Sequence, residues 1–444
     1  MAATSSREEA LSSLRAAGLS DSLYTPDQES YHDRISSYWP LSAQLRPWEI
    51  IQPRNTDEVS KAVKAIVGVP GVKFAVWSGG HMAWPGANNI KNGITIDLGL
   101  LSGVSYDAET EVASLYPGAI WADAYRELEQ YGRMFAGGRD GKVGIGGLIL
   151  GGGKTFYACR VGLACDQVIN YELVLANGTI INANSFTDPD LFLPLKGSGN
   201  NFGIVTRFDM VTFPAEDVWD CNLVCSKRST RGIGEALLQF TKGLEEKPND
   251  HILAMWIHLP GAKEHVVIPE LMILDGVEKA DSNFYLSMVL QPLPTSFGKH
   301  SLARGGNMLG LENINQDCIL LVWAVELDSS ELNERVVAAA LKRAIEEIET
   351  FAEAENGGEG VGSRYFNHCY GAQDPLGYYG CDKVEFMRGV AERVDPEGVF
   401  QESVSGRFKI SKARGHWILR GGRDEKGVRV SSTVQNNDIN GDYT

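Results

Sequence analysis

An imidazole stands directly after a glycine pair in the segment Phe74-Ala75-Val76-Trp77-Ser78-Gly79-Gly80-His81. An apolar run that ends in glycines predicts a strand entering a tight turn, with His81 at its tip. Successive backbone amides at Ser78, Gly79 and Gly80 can cradle phosphate oxygens. A second stretch, residues 137–155, packs nine glycines into nineteen positions. Glycine reaches positive φ and lets a ligand approach the backbone closely. The stretch ends in Gly153-Lys154-Thr155 but is not a P-loop, because Leu148 stands where the first glycine of that motif belongs. A Gly-x-Gly-x-x-Gly fingerprint built on Gly144, Gly146 and Gly147 fails too, since Ile149 holds its last position.

The seven cysteines form no Cys-x-x-Cys pair. Cys221 and Cys225 fall four apart in an apparent strand with no histidine nearby, so no metal site is expected. All seven are expected to be buried free thiols.

The two glycine segments need elements to hold them. "WEIIQP" predicts a strand, and residues 55–68 a helix capped by Asn55, with Glu58 three residues on. Val59, Ala62, Val63, Ile66 and Val67 form its apolar stripe. "KFAVWS" and "GITIDLGLL" follow as strands, the second entered through Asn92-Gly93. The helix "AIWADAYRELEQYG" leads into the glycine run. Asn177-Gly178 predicts a type I′ hairpin within residues 168–184. A strand then alternates Ile204, Thr206, Phe208 and Met210. From Pro214 the texture changes: "VWDCNLVCS", "HILAMWIHLP", "EHVVIPELMIL" and "CILLVWAVEL" read as strands, with helices over 231–246 and 330–353. Strand runs with interposed helices suggest an antiparallel α+β layer. The polar stretch from Ser411 is expected to be loosely ordered.

Six stretches in order carry a family resemblance: "AVWSGGHMAWPGANNIKNGITIDL", "PGAIW", "GGRDGKVGIGGLILGGG", "GLACDQVINYELVLANGTI", "DPDLFLPLKGSGNNFGIVTRF" and "YFNHCYGAQDPLGYYG" with "VDPEGVFQ". The chain resembles, from Trp48 to Ile410, the FAD-linked oxidases of the vanillyl-alcohol oxidase and p-cresol methylhydroxylase type. It is most similar to the fungal berberine-bridge-enzyme-like branch. The resemblance implies an α+β fold with a two-part FAD-binding domain and a substrate domain whose antiparallel sheet is flanked by helices. It implies an FAD domain at 1–212, a substrate domain at 213–362, a strip at 363–411 returning to the FAD domain, and a tail at 412–444. It also implies a covalent bond from His81 to the flavin 8α-methyl carbon. Ser78, Gly79, Gly80, Met82, Gly138, Val143, Gly144, Gly146, Gly147, Gly151, Gly152, Ile204 and Asn367 would contact FAD.

Three departures from the family pattern matter. Trp77 stands where many members have arginine. Asp140 occupies the position of a second, cysteinyl tether, so His81 should be the single link. Tyr365-Phe366-Asn367-His368 places a histidine where relatives carry the tyrosine base of Tyr-x-Asn-Tyr. His368 is then either the acid/base or a packing and substrate contact, with Tyr365 and Tyr370 the nearest phenols. In the middle domain, His258 and Trp256 share a strand face, and Arg304 offers a charge for an acidic or enolic substrate.

Composition narrows the class. A net charge of −16 and a pI near 5.0 argue against nucleic acid and anionic membranes as partners. No run of about eighteen apolar residues exists, so no membrane-spanning helix is expected. The first residues lack the pattern of a secretory signal, which suggests a cytoplasmic protein. The expectation is an FAD-dependent oxidase of a small organic molecule, with O2 as acceptor, in a biosynthetic pathway. A redox-neutral isomerase or cyclase, a carbohydrate oxidase and a degenerate flavin-binding protein are the alternatives.

Overall fold

The computed structural model describes residues 2–225, 227–258, 284–327, 331–355 and 363–415. The first sheet consists of β1 (Leu23–Tyr24), β2 (Glu49–Ile51), β3 (Phe74–Trp77) and β4 (Ile94–Asp97). Its order is β1-β2-β4-β3, with β4 parallel to both β2 and β3. Strands β2 and β3, on either side of β4, run the same way, and the helix Thr56–Val67 provides the crossover between them. Asn55 caps that helix by accepting from the Glu58 amide at 2.9 Å. Val59, Ala62, Val63 and Ile66 bury their side chains against the sheet, as the stripe requires.

The second sheet follows the glycine logic less directly. It joins β5 (Val104–Asp107), β6 (Val112–Leu115), β8 (Val168–Val174), β9 (Ile180–Asn184) and β10 (Ile204–Val211) in the antiparallel order β5-β6-β10-β8-β9. A two-stranded ribbon, β7 (Arg133–Met134) with β11 (Phe213–Pro214), lies beside it. Ile204, Thr206, Phe208 and Met210 are all buried, so the predicted alternation holds. The hairpin between β8 and β9 does not use a type I′ turn. Gly178 alone takes a positive φ, +75°, while Asn177 does not. Gly178 N–H donates to Leu175 O, and Leu175 N–H to Thr179 O. This is a tight turn followed by a glycine bulge, which needs only one left-handed residue.

The third sheet is β12 (Ala254–His258), β13 (Phe284–Leu293) and β14 (Cys318–Leu327), fully antiparallel. The helices Thr230–Gly243 and Glu331–Glu355 pack on it through Leu237 and through Val337 and Ala344. One expected strand is absent. Residues 215–225 run irregularly with Val218, Trp219, Leu223 and Val224 exposed, and they pair with no strand among the described residues. An apolar pattern without a ladder partner cannot form sheet. Cys221 and Cys225 are therefore exposed, whereas Cys159, Cys165 and Cys369 are buried and Cys318 and Cys381 are half-buried. The run "EHVVIPELMIL" and most of the tail lie outside the described residues.

The last part of the chain returns to the first sheet. Val404 bridges Phe74 in parallel, with Phe74 N–H donating to Ser403 O at 2.9 Å and Ser405 N–H to Phe74 O at 2.7 Å. Phe400 packs on Phe74 in an edge contact at 6.4 Å.

Candidate active site

The two glycine segments meet backbone to backbone. A Cβ built on Gly79 would stand 2.4 Å from Gly144 Cα, and one on Gly144 would stand 2.5 Å from Gly79 Cα. No side chain larger than hydrogen fits at either position. The crossing is anchored from both sides. Ser78 Oγ donates to Pro117 O at 2.5 Å, and Ile120 forms an antiparallel bridge with Gly144. Gly146 faces Ser78 Oγ, which a Cβ there would approach to 2.8 Å.

Around this crossing opens a cavity of about 400 Å³. Ser78, Gly79, Gly80, His81 and Met82 line one part of it. Val143, Gly144, Gly146, Gly147 and Ile204 line the next, and Tyr365, Asn367 and His368 another. His81 is exposed and stacks loosely on Trp39, with ring centroids 6.3 Å apart. The position lacking arginine is braced from beneath: Arg34 stacks on the Trp77 ring at 3.7 Å while its Nε donates to Asp97 at 2.6 Å.

Asn367 fastens the second glycine segment to the C-terminal strip. Its Nδ2 donates to Gly147 O and Leu148 O at 3.1 and 3.2 Å, and its Oδ1 accepts from Gly153 N–H at 3.1 Å. Tyr365 OH accepts from Lys154 N–H at 2.5 Å and packs edge-on against His368, ring centroids 4.8 Å apart. Burial raises the Tyr365 pKa above the phenolic range. By accessible area His368 is exposed, on a face that lines the cavity, while protein crowds the rest of the ring. Burial, then Arg139 and Lys154, push its pKa down to about 3. The ring is neutral at physiological pH.

Several expected contacts fall elsewhere. Tyr370 is 42 % exposed and does not line the cavity. The turn after Phe366–His368 carries it outward, where its amide donates to Gln373. Gly138, Gly151 and Gly152 do not line the cavity either. They are packing glycines, whose added Cβ atoms would strike Trp121, Asn367 and Leu309. Arg304 is exposed just after the helix Ser296–Ala303 and lines a separate outer groove with Glu111 and Glu216. A surface helix end cannot point it inward. Trp256 is buried under the helix Thr230–Gly243. His258 is described only by its backbone, at the end of β12.

Two cavity cations escaped motif reading. Arg139 and Lys154 both line the cavity, and Lys154 is 5 % exposed. The legible signal was a lysine directly after three glycines. Burial, then Arg139, lowers the Lys154 pKa to about 7.

These residues fit FAD. The backbone crossing brings the two glycine segments together on one wall of the cavity. Trp84 Nε1 and Asn88 Oδ1 are buried polar atoms without partners, on residues of the cavity wall. The wall holds three cations, Arg139, Lys154 and Arg407, against one carboxylate, Asp140, and of these Arg407 would suit an anionic dinucleotide. No cysteine lines the cavity among the described residues.

Comparison with known proteins agrees. An FAD binding domain model matches residues 47–184. The FAD-dependent monooxygenase drtC of Aspergillus calidoustus is 30% identical over 473 residues, covering 90% of each chain. The chain belongs to the FAD-linked oxidoreductase family. Its fold matches 6-hydroxy-D-nicotine oxidase from Arthrobacter nicotinovorans, with a TM-score of 0.63 at 19% identity over 86% of this chain and 96% of that one. Berberine bridge enzyme from Eschscholzia californica gives 0.58 at 16% identity, over 90% and 99%. The oxidoreductase therefore has the two-domain, berberine-bridge-like FAD-binding fold.

Two outcomes are expected. Gly144→Ala should destabilise this oxidoreductase by roughly 1–3 kcal/mol through overpacking. Gly147→Ala, whose Cβ meets nothing within 4 Å on a helix, should leave stability equal or up to about 1 kcal/mol higher. Urea midpoints decide between them, and equal losses would contradict the crossing. The second outcome concerns acid. Unfolded imidazole protonates near 6.5, but His368 and His251 in the folded chain do so only near 3. The unfolded state binds more protons in that window, so stability falls as pH drops from above 6.5. Replacing His368 with Gln should shrink the Tm difference between about pH 7 and about pH 5; an unchanged difference would refute the assignment.

Proposed function

We propose that this oxidoreductase oxidises a small organic substrate, with FAD held in the cavity through a single covalent link from His81 and with O2 as the final acceptor. The bound flavin would supply the hydride acceptor. The observation that carries this reading is the single cavity shared by the Gly79–Gly144 crossing, His81, and the pair Tyr365 and His368. A biosynthetic role fits a relative named as a fungal FAD-dependent monooxygenase, a name that also fits the use of O2.

The chain's own residues divide the work. The amides of Ser78, Gly79 and Gly80 bind the diphosphate. His81, exposed at the cavity edge, keeps a ring nitrogen open for the link. Asp140 stands on the cavity wall where a cysteine tether would be needed, and its Oδ1 is engaged by Lys142 N–H at 2.8 Å. Asn367 keeps the glycine segment closed on the C-terminal strip. Tyr365 and His368 face the substrate. His368 is held neutral, so a lone pair is available to accept a proton or hydrogen bond from the substrate.

Acid precipitation tests the tether. Yellow colour should stay with the wild-type pellet and move to the supernatant in His81→Ala. Colour in the wild-type supernatant would overturn the covalent link. Anaerobic mixing with a panel of small alcohols and phenols tests the reaction. Bleaching of the flavin supports oxidation, and turnover without bleaching would mark a redox-neutral isomerase or cyclase instead.

A further inference from the structure

The cations held inside this fold differ in their surroundings. Arg207 pairs with Glu172 and Asp209, each at 2.9 Å. Lys196 Nζ donates to Arg304 O at 3.3 Å and Lys409 Nζ to Phe400 O at 2.8 Å, and neither lysine lines the cavity. Arg139 and Lys154 form no ion pair among the described residues. Arg139 Nη1 lies 3.2 Å from His251 Nε2, a neutral ring, and Lys154 Nζ donates to Pro292 O at 2.6 Å above the Phe297 ring. Asp140, the carboxylate of the cavity wall, spends one oxygen on the Lys142 amide and makes no ion pair with either cation. Enclosing two like charges without a counterion is costly, and a protein tolerates it where an anion arrives from outside.

Their position says which anion. Lys154 N–H holds the Tyr365 hydroxyl, and Tyr365 packs on His368, so the cations share the wall proposed to face substrate. They belong to the third-sheet side of the cavity as well, because Pro292 closes β13. The Ser78–Gly80 amides serve the diphosphate separately. We propose that Arg139 and Lys154 form a substrate subsite for an organic oxyanion, a carboxylate or phenolate, presented beside Tyr365 and His368. The oxyanion would accept from the Lys154 ammonium and the Arg139 guanidinium, and the neighbouring ring carbons would rest against Tyr365. This proposal rests on the flavin-oxidoreductase reading and names its substrate class. It moves to the cavity the anion-binding role that the sequence suggested for Arg304.

Benzoate and its neutral isostere benzamide are the probes. Affinity for the purified holoenzyme is read by calorimetry, and flavin content by visible absorbance of the same sample. Benzoate should bind more tightly than benzamide. A lost charge-assisted hydrogen bond corresponds to roughly a tenfold loss or more, which is expected for benzoate in Lys154→Met. Lys154→Arg should restore most of it, and Arg139→Gln should show an independent loss. Flavin content should be unchanged in all three variants. Equal binding of benzoate and benzamide, or unaltered benzoate affinity in Lys154→Met and Arg139→Gln, would overturn the subsite. Loss of flavin from Lys154→Met would overturn it too, by making the lysine a cofactor ligand. A wild type without flavin would defeat the cofactor reading, while benzoate affinity would still decide the subsite.

Discussion

Everything at the centre of this molecule depends on two backbones touching at Gly79 and Gly144. A contact of that kind brings two turns close enough to form one wall, and it leaves their amides free of side-chain cover. The turn after β3 and the short helix Ile145–Leu150 are then fixed relative to each other by main chain alone. His81 and Gly147 are carried on the far sides of the crossing, so one contact sets the position of two functional surfaces.

The electrostatics invert between surface and interior. The chain carries −16 overall, yet the cavity wall is cationic. Burial makes Lys154 worth more to an incoming anion than an exposed cation would be, because water no longer screens it. The same burial holds His368 neutral and keeps the Tyr365 phenol protonated. One desolvated pocket thus sets both protonation states through a shared physical cause.

Much of the first half was legible because its signals are local. Helix periodicity located Val59, Ala62, Val63 and Ile66, and alternation located the buried face of β10. The glycines of "SGGH" and "GIGG" pointed to a close approach, although sequence alone could not say that they approach one another. Signals that depend on tertiary partners were harder. Residues 217–225 have strand-like composition, but composition does not supply a neighbouring ladder. Arg304 and Tyr370 are chemically suitable, and chain direction at their turns sends them outward. Arg139 and Lys154 acquire meaning only when the ends of β13 and the C-terminal strip close over them, which no spacing in the sequence encodes.

The bridge between Phe74 and Val404 has a consequence for biosynthesis. The strand leading to His81 is completed by residues that leave the ribosome long after it. Asn367 and Tyr365, which brace the glycine segment, also emerge late. A nascent chain can form the first sheet and its helix early, but its cradle stays open along that edge. Closure of the cavity therefore waits on synthesis of the strip that carries Tyr365, Asn367 and Val404.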